Sequence, residues 1–422
     1  MTIEQQIGKA HEVSTISNDT RAQQPTAARR KPAWLCIAPA LPRPDRSSGD
    51  RRLHAMLTQL SLDCDISLVV LAPRDADVIP YESALTRSGV RVAGYGSRAL
   101  LTTLVARRFD AILHEFWFVA DDVRHLVRAT QPQATVVIDS VDLHYLRERS
   151  QAGSDASLLA QATATETREL SAYRDAHATI TVSVTEQDEL LARGVQPVFT
   201  VPNIVPLVER QVRSRDPVVL FIGGFRHPPN AAAVHWFAGD VWPRIRGAIP
   251  HARWIIAGSD VPPDVAVLHG LDGIDVRGFV KSTAPLLDEA EVSIAPLTYG
   301  GGMKGKVSEA LAAGMPLVTT RWGSQGMERG AGSAFLVADE PDVFADAVIE
   351  VLQNAELRER LGHAARQLAR ETCTIDVALP ALAELVALSL EPRRGSLNIV
   401  QRWLSLATST VARRLRRITS GA

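Results

Sequence analysis

Cysteine is scarce in this chain: there are three in 422 residues, Cys36, Cys64 and Cys373, odd in number and far apart. That argues against a disulfide framework or a cysteine-based metal cluster. It fits a reducing compartment, so a cytoplasmic location is expected. No apolar run approaches the roughly 20 residues of a membrane span. Excess charge of one sign is absent as well, with 46 Lys and Arg against 47 Asp and Glu. Nothing global therefore points to nucleic acid as a partner, and binding has to be argued from local sites. The first 31 residues are polar and lack the apolar centre of a secretory signal; they read as a disordered extension.

What is present is the composition of a globular protein, 46% hydrophobic and 22% charged, in a chain long enough for two domains. From Pro32 short apolar strands alternate with helical patterns. Strands are expected at Trp34–Ala38, Ile66–Leu71, Val90–Ala93, Ala111–Leu113, Thr135–Ile138, Ala178–Val182 and Val198–Val201. Gly49–Leu62, Leu100–Arg108 and Ser157–Ala176 read as helices between them. Near-continuous apolar strands separated by helices predict a parallel sheet covered on both faces. The pattern breaks over 204–217, the expected linker, and restarts with strands at Val218–Ile222, Arg253–Ala257, Ile274–Val276, Val292–Ala295 and Leu317–Thr320. The Ala- and Trp-rich stretch Ala231–Ile245 reads as a helix. The organisation is α/β throughout: a doubly wound domain over 32–203, a second over 218–390 that ends in helices, and a basic amphipathic tail over 391–422. Strand C-termini of both sheets should face a common cleft.

The segment Tyr299–Pro316 carries the most chemistry. Gly300, Gly301 and Gly302 allow close approach of backbone to ligand, and Met303 leads into a helix start whose free amides suit a diphosphate. Lys304 and Lys306 add positive charge there, and Glu309 on the helix can accept hydrogen bonds from ribose hydroxyls. A tight turn with a surface Lys306–Glu309 pair is the plainer alternative. The spacing from Gly300 to Lys306 nearly matches the phosphate loop of ATPases, but Val307 stands where a Ser or Thr would ligate magnesium. A second glycine turn, Gly223-Gly224, follows the first strand of the same half, with Arg226 close behind. In the N-terminal half, Gly49 opens a helix after the first strand, with Arg46, Arg51 and Arg52 near it, each equally readable as a solvated charge. Asp139, Asp142 and His144 end another strand, where polar residues are either site candidates or caps. His114 and Glu115 are a weaker parallel case.

In this order the segments resemble retaining glycosyltransferases of the GT-B fold, the family-four group, over about Pro32–Leu390. The run Glu309-Ala-Leu-Ala-Ala-Gly-Met-Pro316 looks like that family's donor-site helix, and Val201-Pro-Asn203, Gly278-Phe-Val280 and Ile294-Ala-Pro-Leu297 match in place. Asp139-x-x-Asp-Leu-His144 with Arg147 is similar to a subgroup. The resemblance implies a nucleoside-diphosphate sugar as donor, a glycan or lipid-linked acceptor, retained anomeric configuration, no cofactor and no metal. It implies donor contacts from Gly49, Gly223, Gly224, Arg226, Phe279, Val280, Gly301, Gly302, Met303, Lys304, Lys306 and Glu309. Catalytic roles would fall to Asp142, His144, Lys304 and Glu309. The family's first donor-site glutamate falls at Gly301, so this chain departs from the pattern there. An epimerase of the same fold and a catalytically silent binding subunit are the alternatives.

The tail from Ser396 to Ile418 places Leu397, Val400, Leu404, Val411, Leu415 and Ile418 at helical spacing among five arginines. This pattern predicts either an anionic membrane surface as partner or packing against protein.

Overall fold

The computed structural model describes residues 30–211 and 216–391. The extension up to residue 29 and the tail after residue 391 lie outside the described residues. The described residues between Pro32 and Glu391 belong to one compact unit, to which the following description refers.

Among the described residues thirteen strands form two sheets, and every neighbouring pair is parallel. The first sheet comprises β1 (Ala33–Ala38), β2 (Asp65–Val70), β3 (Val90–Tyr95), β4 (Ala111–Glu115), β5 (Thr135–Asp139), β6 (Ala178–Thr181) and β7 (Val198–Thr200). Its order is β3-β2-β1-β4-β5-β6-β7. The second comprises β8 (Val218–Ile222), β9 (Arg253–Ala257), β10 (Ile274–Gly278), β11 (Val292–Ala295), β12 (Leu317–Thr319) and β13 (Leu336–Val337), in the order β10-β9-β8-β11-β12-β13. Strand order reverses between β1 and β4 in one sheet and between β8 and β11 in the other. Those two points are where crevices open at the strand C-termini.

The central strands are buried on both faces, and for that reason their sequences run apolar without alternation. One face of the second sheet packs Phe237, Trp242, Trp254 and Phe344, while the other packs the helix Gly305–Ala312 against Leu287 and Phe335. The expected helix over Ala231–Ile245 is part of a longer helical run from Pro228 to Ala248. It loosens to π-type bonding over Phe237–Val241, where the Trp242 amide reaches the Phe237 carbonyl. Pro243 follows at once and has no amide to offer, so a wider turn just before it keeps the helix continuous.

Two findings correct the domain boundaries read from sequence. The helix Ile375–Ser389 was grouped with the C-terminal domain, yet Ala378, Leu382 and Leu385 lie in the core of the first sheet with Trp34 and Ile180. The indole N–H of Trp34 donates to the Ser389 hydroxyl at 3.2 Å. The expected linker is also not a loose tether. Ile204 is packed in the N-terminal core and Val205 in the C-terminal core, and the Val205 amide donates to the Cys373 carbonyl at 2.9 Å.

Candidate active site

The two switch-point crevices face each other, and each is lined by the loops that leave its strands. In the N-terminal domain these are the loop after β1, which enters the helix Ser48–Leu60, and the turns after β4 and β5. Ser47 caps the helix by accepting from the Asp50 amide at 3.0 Å. Phe116 after β4 and Val141 after β5 both have positive φ, 72° and 62°. For a bulky and a β-branched residue such a conformation costs on the order of 1–3 kcal/mol and is held only by its surroundings.

The turn after β5 gathers the acidic side of the site. Asp142 accepts from the Arg147 guanidinium at 2.6 Å and pairs with His144 Nε2 at 3.2 Å. Burial alone would raise the Asp142 carboxyl. The His144 hydrogen bond and the charges of Arg147 and Lys304 outweigh it and hold the group below its ordinary range. The His144 ring lies within 5.7–6.2 Å of Phe116, Trp117 and Phe118, an aromatic wall supplied by the end of β4. Asp139 plays a different part: it is fully buried in an ion pair with Arg52 at 2.6 Å, and Arg52 also donates to the Val201 carbonyl at 2.9 Å. It ties the end of β5 to the first helix and to the interdomain connection.

In the C-terminal domain the glycine loop after β11 meets that turn directly. A Cβ at Gly301 would lie 2.9 Å from Cβ of Arg147, and one at Gly302 would lie 2.9 Å from Cβ of Asp142. A Cβ at Gly305 would overlap the Ser48 side chain. The glycines are needed here because two backbones from different domains touch. Ser150 Oγ adds a bridge, donating to the Gly300 carbonyl at 3.2 Å.

The two lysines of this loop do different things. Lys304 Nζ donates to the carbonyls of Gly301 and Gly302 at 2.7 and 2.6 Å and to Gln325 at 3.0 Å, so its ammonium group closes its own loop. Burial pushes it down to about 8, against the opposing pull of Asp142 and Glu186. The expected positive contribution of Lys304 to a ligand therefore sits one layer below the surface of the loop. Lys306 reaches toward the other glycine turn. Its Nζ donates to Asn230 Oδ1 at 2.5 Å and stands 4.1 Å from the Phe221 ring centroid. Burial, reinforced by the Lys304 charge, pushes Lys306 down to about 7. Asn230 in turn donates to the Gly224 carbonyl at 2.7 Å. His227, which the sequence reading did not single out, joins this group; burial and the neighbouring Lys306 charge push it down to about 4.

The remaining expected contacts are distributed unevenly. Glu309 pairs with Arg51 across the cleft, and Thr283 Oγ1 donates to its other oxygen at 3.5 Å. Phe279 is half exposed and carries the Arg46 guanidinium 4.1 Å above its ring. Val280 and Met303 are partly buried against the C-terminal core, and the Met303 carbonyl accepts from Asn203 at 3.0 Å. Gly49 lies in the first turn of its helix, beside Val141. Arg226 is an outlier: its side chain is 84% exposed and pairs with Asp260 at 3.1 Å, so it is not gathered with the lysines. The cations that cross the cleft are Arg46 and Arg51, both weighed as solvated charges in the sequence.

Residues 216–354 match the family model described as Glycosyl transferases group 1. Among solved structures the chain is similar to sucrose-phosphate synthase from Thermosynechococcus elongatus, at 14% identity and a TM-score of 0.66, over 84% of this chain and 98% of that one. It is similar to Anabaena HepE in complex with UDP-glucose at 13% identity and a TM-score of 0.63, over 84% and 99%. A third similar structure is WaaG, a glycosyltransferase involved in lipopolysaccharide biosynthesis, at 11% identity and 0.58, over 85% and 99%. No curated protein sequence matches the chain. At identities this low the structural likeness establishes the fold, the two-domain GT-B architecture.

Proposed function

We propose that this chain, a glycosyltransferase by its group-1 domain and its GT-B fold, moves a hexose-like sugar from a nucleoside-diphosphate donor to a glycan or lipid-linked acceptor, retaining the anomeric configuration and using no metal. The observation that carries the reading is the junction itself. A glycine loop with a buried Lys304 and a partly buried Lys306, on the C-terminal side, abuts an Asp–His–Arg cluster on the N-terminal side.

In the reaction the bond between the anomeric carbon and the diphosphate oxygen breaks, and its electron pair leaves with the diphosphate. The acceptor oxygen forms the new bond, and its proton passes to the departing phosphate oxygen. Charge therefore builds on the diphosphate as the bond breaks, and positive potential already in place stabilises it without reorganisation. Lys306, the Gly224 amide and the start of the helix Gly305–Ala312 supply that potential, with Lys304 shaping the loop; the Gly223 amide is spent on the Ala257 carbonyl at 2.9 Å. Glu309 holds the ribose, displacing Arg51, and Phe279 lines the base. Asp142 and His144 orient the acceptor hydroxyl. The contacts between the two edges exclude water, which limits hydrolysis of the donor. HepE binding UDP-glucose supports the donor class by analogy of fold.

The test is a thermal-shift panel of UDP-, GDP-, ADP- and dTDP-sugars, since a bound donor raises the melting temperature by mass action. The best donor is then assayed for nucleotide release with and without acceptor extracts, in the presence and absence of EDTA. Stabilisation by no nucleotide sugar would refute the reading, and activity lost to EDTA and restored by Mn²⁺ would refute its metal-free form.

A further inference from the structure

The turn that carries Asp142 and His144 is held from beneath by two carboxyls on other elements. The helix His144–Ala152 begins without a capping side chain of its own, because its N-cap residue is Leu143. Glu169, from the helix Ala156–Asp175, takes that place. It accepts from the His144 amide at 3.1 Å, the Tyr145 amide at 2.9 Å and the Tyr173 hydroxyl at 2.7 Å, and it is completely buried. Glu186, from the helix Val184–Ala192, accepts from the Leu143 and Val182 amides, each at 3.4 Å. Three successive amides, Leu143 to Tyr145, thus rest on two buried acids, and the first of them is two residues after the positive-φ residue Val141.

We propose that Glu169 and Glu186 are positioning residues for the transfer reaction, fixing the Asp142–His144 turn in its strained, donor-facing conformation. The inference rests on the reading of Asp142 and His144 as acceptor-side groups. Packing alone does not call for acids at these places, since burying a carboxyl without a cation is unfavourable and an apolar residue would fill the same volume. What an apolar residue cannot do is satisfy the amides of a helix start in a turn whose Val141 is held at positive φ. Glu186 also reaches the other domain: its Oε1 lies 3.6 Å from the place a Cβ on Gly302 would occupy. Facing the two acids are Tyr173, Asp142, His144 and Lys304. Burial pushes Glu169 up to about 7 and, with the Asp142 charge, Glu186 up to about 8, so both change protonation near neutral pH.

The test uses full-length Glu169→Gln and Glu186→Gln, which keep side-chain shape, beside Asp142→Asn and His144→Ala. Two readouts are taken. One is nucleotide release, as kcat and KM against pH, from the donor selected by the thermal-shift panel. The other is hydrogen exchange at the Leu143, His144 and Tyr145 amides, which needs no substrate. We expect each Gln variant to lose at least tenfold in kcat, to flatten the pH profile between 6 and 9, to keep donor KM within twofold, and to exchange these amides at least tenfold faster. Wild-type kcat with wild-type exchange overturns the proposal. So does a loss of donor affinity in step with melting temperature, which is the mark of a merely structural role. If Asp142→Asn and His144→Ala both retain full activity, it is the underlying reading of the turn that fails. If they are inactive while the Gln variants are normal, the reading stands and this inference falls.

Discussion

The two ligand edges have the same strand order around their crevices but opposite chemistry. The N-terminal edge is built of acids, aromatics and a strained turn, with Val141 and Phe116 at positive φ, Asp142 and Glu169 bonded to His144, and Glu186 bonded to the Leu143 amide. The C-terminal edge is built of glycines and lysines, with Lys304 buried and Lys306 partly buried beside loops that lack side chains. One edge positions functional groups by holding side chains rigidly. The other lets a ligand approach backbone and keeps its charge in reserve. The proposed transfer needs both, since the acceptor has to be aimed and the leaving diphosphate has to be stabilised.

The comparison breaks most sharply at Asp142. Replacing it with Asn leaves the shape and removes the charge that organises His144 and Arg147, and kcat should fall about 1,000-fold, because the acceptor hydroxyl loses the groups that orient it. Donor affinity, measured by calorimetry with the nucleoside diphosphate, should change little. Gly302→Val comes next. Its φ of +68° and its contact with Asp142 leave no room for a branched side chain, so the two edges should be forced apart. A displacement of about 1 Å at reacting groups can cost about 100-fold, and that loss in kcat is expected with a normal circular-dichroism spectrum.

Lys306→Ala should weaken donor binding about tenfold, roughly 1.4 kcal/mol. It also carries a pH signature. Lys306 is pushed down to about 7 from an ordinary 10.5, so between those values the unfolded chain holds more protons than the folded one. Stability of the unliganded protein should therefore rise with pH across that window, and the rise should be smaller in Lys306→Ala. A bound diphosphate restores the charge, so donor binding at pH 8 should take up a proton. Calorimetry in buffers of different ionisation enthalpy measures this directly. The smallest effect is expected at Arg226→Ala, less than about twofold in any constant, because an exposed ion pair of this kind contributes little.

Much of this architecture was legible in the sequence, for a physical reason. β8, β9 and β11 begin and end where expected, because strands buried on both faces must be apolar throughout. β13, two residues long, offers no period to detect. The glycine loop was legible because few other residues tolerate its conformation. What could not be read was anything decided by partners distant in sequence. Glu169 sits in an Ala- and Thr-rich helix and looks like any solvated glutamate until His144 and Tyr145 are placed against it. Arg51 reads as a surface charge, yet it crosses to Glu309, 258 residues away. Lys304 and Lys306, two residues apart, read as a matched pair, and only their hydrogen bonds separate a loop brace from an available cation.

The return of the helix Ile375–Ser389 to the first sheet has a consequence for how the protein is made. The second sheet and its helices are complete in the chain by Cys373, so the later-synthesised domain holds a finished core as soon as it emerges. The earlier-synthesised domain does not. Trp34 waits for Ser389, and a patch around Ile180 stays uncovered until Leu382 and Leu385 arrive. Order of synthesis and order of completion are therefore reversed, and Trp34 lies 355 residues ahead of the partner that completes its domain. Chains stalled at Thr374 should show it, with protease cutting the N-terminal half while the C-terminal half resists. The helix Ile375–Ser389 thus couples the maturation of the N-terminal domain to the completed synthesis of the C-terminal one.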